Sequence, residues 1–275
     1  MVPFQLFKSQ PANPVPIRDC GNKRLLETVA SFERWHGKKI PSEIMVCEAP
    51  RSKLHQLSSD FMFEKGEGPL PAKPISLFSR ACFFLQGLLF VGAVSYRNVM
   101  FLPTCCSFRV YVHELAHSVD YSGKSNFSEL CRKQHSEELP PWQAGVVDVL
   151  LEGRAFLAEK FARPFSQKLR DFPLEAIEDI VPTVAILLLF SHLSNFPVLP
   201  IFVIGVPVYF FADFLDSYIA PSQYRVGKNF MHTLLKSVKD SKKIMEITAE
   251  HLPKSYLEVC KPNEYIKRLR EQGVI

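Results

Sequence analysis

The stretch VYVHELAHSVD, Val110–Asp120, reads His113-Glu114-x-x-His117. On an α-helix, residues four apart share a face, one turn along. His113 and His117 then point the same way and can offer ring nitrogens to one Zn2+ at ~2.0–2.1 Å. Glu114, next to the first ligand, reaches the open position of such a site, where it acts as general base toward water. Ser107 is an N-cap residue, and Val112, Leu115 and Ala116 seat the helix against a core, so a helix is predicted from Ser107 to about Val119. The competing reading makes His113 and His117 core histidines and Glu114 a surface carboxylate. It leaves three ionisable groups on an apolar helix, which is costly unless something pairs them.

Upstream, two apolar runs, 87–96 and 99–102, flank Arg97-Asn98 and predict a β-hairpin with a tight turn there. SEIMVCEAP, between Pro41 and Pro50, reads as a short strand, and RSKLHQLSSDFM after it as a helix. Lys23–His36 has Leu25, Leu26, Val29, Phe32 and Trp35 at helical spacing and is stopped by Gly37. Residues 1–22 read as a Pro-rich extended arm. Downstream, residues 121–141 read as a polar loop ending in Pro140-Pro141, and Trp142–Ala162 as a second long helix. Tyr224–Leu269 is again helical and charged. The expected fold is α+β and mainly helical. One domain spans 23–275, with a sheet-bearing part (23–120) and a helical part (121–275).

The chain has 275 residues, 47% hydrophobic and 22% charged, which excludes disordered and fibrous classes. A net charge of +5 is mild and spread out, and the lysine-rich run Lys236–Lys243 lacks the aromatic residues of a nucleic-acid groove. No nucleic-acid partner is expected. Seven cysteines without a C-x-x-C pair fit free thiols in a reducing compartment, and the N-terminus lacks a signal-peptide pattern. A cytoplasmic location follows. Residues 180–212 contain no charge and are interrupted by Pro182, Pro197, Pro200 and Pro207. Each half falls short of the ~20 residues that span a bilayer, so buried core is preferred. Membrane contact through 180–212, with a membrane-associated location, is the alternative.

A hydrolytic zinc site needs a third protein ligand. The metzincin pattern requires glycine at 120 and histidine at 123, whereas the chain has Asp120 and Gly123. Two carboxylates remain: Glu137, in the expected loop, and Glu152, inside the long helix. Glu152 is preferred, because Gly153 beside it removes a side chain and lets two helices approach near the metal. Together, H-E-x-x-H and E-G-x-A (Glu152–Ala155) resemble the minimal gluzincin metallopeptidases, the minigluzincins, over roughly residues 23–270. The resemblance implies a zincin-like catalytic domain, one Zn2+ held by His113, His117 and Glu152, and a peptide or protein substrate. SQYRVGKNFMHTLL resembles the Tyr-x-x-Gly stretch of gluzincins, which gives Tyr224 an oxyanion-stabilising role, with Gly227 after it.

Two departures qualify the resemblance. Phe156 stands where many gluzincins carry an aspartate that orients a zinc histidine, so that support is expected from Asp120 or a backbone carbonyl. The amine-holding motif of the zinc aminopeptidases is missing, which favours an endopeptidase, with Val99–Leu102 pairing with extended substrate by strand addition. A latent or non-catalytic metal protein is the alternative, with residues 1–20 in the cleft and Cys20 on the open metal position. His36, His55, His135, His192, His232 and His251 lack ligand-like spacing, and Cys105 and Cys106 read as buried small hydrophobes.

Overall fold

Alternating apolar residues on the short strands give the sheet two packed faces. The computed structural model describes residues 13–50, 54, 57–58, 61, 93–104, 106–136, 138–171 and 222–275. Within them the strands are β1 (Val15–Pro16), β2 (Met45–Ala49), β3 (Val94–Tyr96) and β4 (Val99–Pro103). They form one sheet in the order β1-β2-β4-β3. β2 and β4 run parallel, with Val46 opposite Met100, while β3 and β4 form the expected antiparallel hairpin with Tyr96 opposite Val99. Its turn holds Arg97 at φ 54°, the left-handed region that non-glycine residues seldom enter.

β4 therefore lies inside the sheet, with both edges taken by β2 and β3. This corrects the expectation that Val99–Leu102 pairs with a peptide: among the described residues the outer strand on that side is β3. Residues 15–22 also depart from the extended arm. Val15–Pro16 pairs antiparallel with β2, Ile17 is fully buried, and the Asn22 side chain accepts from Leu25 N to cap the next helix. An apolar side chain in the Pro-rich stretch, Ile17, ties it to the core.

Among the described residues the helices include α1 (Lys23–His36), α2 (Phe108–Ser122), α3 (Asn126–His135), α4 (Pro141–Phe161), α5 (Ser222–Val238), α6 (Ser241–Glu250), α7 (Tyr256–Cys260) and α8 (Pro262–Glu271). Residues 165–171 are also helical. Helix α3 corrects the predicted loop over 121–141. Ser125 caps it, and Phe127 and Cys131, four apart on one face, are fully buried. Its many polar residues concealed a helix with one narrow apolar face.

Val46, Met100 and Leu102 face α1 and α2, where they meet Tyr111, Val112, Leu115 and Ala116. Cys47, Val99 and Phe101 face the opposite side, with Tyr96 and Leu54. A third cluster joins α4 and α5 to the C-terminal helices through Val147, Leu150, Phe230, Leu234 and Tyr265. The fold is thus mixed α+β, mainly helical, with a small four-stranded sheet. Among the described residues no helix is long and apolar enough to cross a membrane. Residues 180–212, the subject of the membrane alternative, lie outside them, as does Glu137.

Candidate metal centre

Helix α2 starts where expected, with the Ser107 side chain accepting from Val110 N. A second group holds this end: the buried Asp171 carboxylate accepts from Phe108 N and pairs with Arg24. Carboxylate oxygen at a helix N-terminus satisfies orphan N–H groups and meets the positive end of the dipole. The far end is held by a buried ion pair. Arg154 of α4 donates to both oxygens of Asp120 at 2.9 and 2.8 Å, and to Met245 O and Thr248 Oγ1. Asp120 is therefore committed to Arg154 rather than to a histidine of the site.

Helix α4 crosses α5 at a glycine pair. A Cβ on Gly153 would stand 2.9 Å from Gly227 O, and one on Gly227 would stand 2.4 Å from Val149 O. Both contacts are with backbone that cannot give way. Gly153 thus permits the close helix approach expected of it, and its partner is Gly227. The same crossing carries Tyr224, whose ring centroid lies 6.4 Å from that of His113.

Three side chains converge between α2 and α4. His113 Nε2 lies 2.9 Å from His117 Nε2, and Glu152 oxygens lie 3.6 Å from the former and 3.9 Å from the latter. Ligand atoms of all three fall within 4.8 Å of one another, and among the described residues no other group of three His, Cys, Asp or Glu does so. Four ligands at 2.0–2.1 Å in a tetrahedron are on the order of 3.3 Å apart. The observed spacings bracket that value. Zinc fits once the two imidazoles spread by a few tenths of an ångström, with the fourth position left open. His36 stacks on Phe32 and His232 packs on Phe156, and neither joins the group. Cys20 stays outside it too, beside Asn22 and Glu48. Cys106 is buried as expected, and Cys105 lies outside the described residues.

His113 and Glu114 are held in place by residues that the sequence did not single out. His113 Nδ1 lies 2.7 Å from Glu159 Oε1, and Arg109 Nε donates to Glu159 Oε2 at 2.8 Å. Glu159 takes the role expected of Asp120 or a backbone carbonyl. It lies seven residues after Glu152, two turns along the same helix face, and Arg109 lies one turn before His113. That double spacing was the available signal. A carboxylate on Nδ1 leaves Nε2 to face the metal, the arrangement common among zinc histidines. Ser95, on β3, donates its hydroxyl to Glu114 Oε2 at 2.6 Å and lies 3.0 Å from Glu114 O. Nothing in the local sequence announced Ser95, since the contact depends on how the hairpin lies on α2.

The electrostatics describe the metal-free site. Burial opposes a charge on His113, but the hydrogen bond and charge of Glu159, aided by Glu114 and Glu152, raise it to about 9. Glu159 is lowered to about 2: burial works against its charge, and Arg109 and His113 outweigh burial. His117 is held well below its usual value by burial and by the charge on His113. At neutral pH His113 is then an imidazolium. Its Nδ1–H faces Glu159 and its Nε2–H faces the lone pair of His117. A proton held on His113 Nε2 would lie in the 2.9 Å gap to His117 Nε2, where a metal ion would bind. Burial raises both Glu114 and Glu152, and the charge on His113 partly offsets it. Two carboxylates that burial pushes up, and that the charge on His113 only partly relieves, are groups a divalent ion would stabilise further.

Comparison of the chain with family models, with curated proteins and with solved structures gives no match.

Proposed function

We propose that the chain is a zinc-dependent peptidase of gluzincin type with a zincin-like catalytic domain. One observation carries this reading: two helical histidines and Glu152 converge at spacings that bracket those of a tetrahedral zinc site, and a buried, oriented Glu114 lies beside them. A structural zinc site has four protein ligands, whereas three ligands and an open position belong to catalysis. Zinc, when bound by His113, His117 and Glu152, supplies Lewis-acid polarisation of the scissile carbonyl and acidifies water.

The chain's own groups do the rest. Ser95 occupies Glu114 Oε2, which leaves Oε1 to accept a proton from the attacking water. Glu114 then delivers that proton to the leaving amine. Its burial keeps the carboxylate out of bulk water, which strengthens its interactions with whatever enters the cleft. Tyr224, beside His113, supports the developing oxyanion through its hydroxyl. Glu159 and Arg109 hold His113 at the angle the site needs. The missing aminopeptidase motif keeps endopeptidase cleavage as the preferred mode.

The test is Glu114→Gln, which preserves shape and hydrogen bonding to Ser95. It is expected to keep one zinc per chain and to lose peptide hydrolysis by at least about a hundredfold, the scale of general-base catalysis. A variant as active as the parent would remove Glu114 from the chemistry.

A further inference from the structure

At the end of α2 a cavity of about 410 Å3 opens beside the β3–β4 turn. Arg97 and Asn98 line it from the turn, Tyr121 and Ser122 from α2, and Arg132 and Ser136 from α3 and its end. Two rulers locate it relative to the metal centre. Tyr121 follows His113 and His117 at a spacing of four, so it lies on the same helix face about 6 Å beyond His117. Arg97 stands in the turn two residues after Ser95, the residue that touches Glu114, and so at most about 7 Å along the chain from it. Both place the cavity about two extended residues from the site of cleavage.

The lining is rich in donors. Arg97 and Arg132 bring two guanidinium groups, and Glu43 is the one acid among the lining residues. Arg132 spends Nη1 on the carbonyls of Tyr121 and Gly123, which fixes the guanidinium at the cavity wall with its other nitrogens available for a planar fork. Asn98 Nδ2 donates to Glu43 O and so holds the turn in place. The Ser122 hydroxyl is buried and, among the described residues, has no hydrogen-bond partner. Arg97 keeps a left-handed backbone that non-glycine residues seldom adopt, and such strain concentrates at binding sites.

We propose that this cavity is a substrate subsite for a peptide carboxylate, about two residues from the bond that is cut; the inference rests on the peptidase reading. The carboxylate comes either from an acidic side chain or from the substrate's C-terminus. Both match the guanidinium donors of Arg97 and Arg132.

Binding separates this from the peptidase reading. Zinc-loaded full-length Glu114→Gln chain is titrated, by fluorescence anisotropy, with a labelled extended peptide that carries one Glu. The same peptide with Gln, each with a free or amidated C-terminus, completes the set. The carboxylate form is expected to bind about tenfold tighter than its neutral counterpart. A preference that follows Glu against Gln assigns the side chain, and one that follows amidation assigns the C-terminus. Arg132→Gln is expected to remove most of the preference. Because Arg132 also holds the end of α2, Arg97→Asn serves as second variant, since Asn tolerates the left-handed turn. Equal affinities for all four peptides, absence of binding, or a preference that survives both substitutions would overturn the subsite. An acid preference without any cleavage by the parent would instead keep the subsite and sink the peptidase reading.

Discussion

Replacing Glu159 by Gln removes a charge that is not itself a metal ligand, yet it acts on the whole site. Glu159 is the largest influence favouring protonated His113, and without it His113 falls from about 9 toward its ordinary range. Two effects on zinc follow. Gln still accepts from Nδ1–H across the 2.7 Å contact, but without a full charge behind the imidazole. Losses of this kind cost about 10- to 100-fold in metal affinity, so above pH ~9.5, where no proton competes at His113, Gln is placed near tenfold and Glu159→Ala near a hundredfold. The second effect is a proton count. At pH 7.5 the parent must expel a proton from His113 for each zinc bound, whereas Glu159→Gln expels a smaller fraction. Calorimetry in buffers of different ionisation enthalpy reads the count, and competition with a chelator reads the affinity. Unchanged affinity together with an unchanged proton count would refute the assignment of Glu159 as the group that orients and charges His113.

Further outcomes are expected. In the metal-free protein, His113 is raised and Glu159 lowered by one shared interaction. The His113 contribution is complete below about 6.5 and lost as pH rises through about 9; the Glu159 contribution is present above about 4.5 and lost as pH falls through about 2. Melting temperature should therefore drop from pH 6.5 to 9.5 without zinc, and this drop should shrink with zinc bound; equal slopes would contradict the pairing. Gly227→Ala drives a Cβ to 2.4 Å from Val149 O and should cost about 1–3 kcal/mol in urea unfolding, with zinc affinity falling as α4 shifts. Asp120→Asn strands the buried Arg154, whose side chain is 4% exposed, and should cost about 3–5 kcal/mol, again by urea unfolding.

What could be read from the sequence was whatever local spacing determines. Four-residue spacing put His113 and His117 on one face, Ser107 announced the cap, and a small residue beside Glu152 announced a close crossing. Glu152 could be preferred over Glu137 because it sits in the long helix beside Gly153, and the structure brings it within 3.6 Å of His113 Nε2. The rest depended on tertiary arrangement. Ser95 meets Glu114 because β3 lies along α2. β4 lost its expected place at the edge because β3 folds back over it, a matter of sheet order that hairpin signals leave open. Helix α3 was missed because its apolar face is narrow and its composition polar. Ile17 drew residues 15–22 into the body although the prolines around it read as an arm.

The most direct measurement is the metal content of the purified chain, of Glu152→Ala and of Glu137→Ala, by elemental analysis after reconstitution with zinc. One zinc per chain in the parent and in Glu137→Ala, lost in Glu152→Ala, is the result predicted by a centre built from His113, His117 and Glu152. A parent that binds no zinc, or a Glu152→Ala variant that retains it fully, would mean that the converging side chains are only a buried polar cluster held by Glu159 and Arg109.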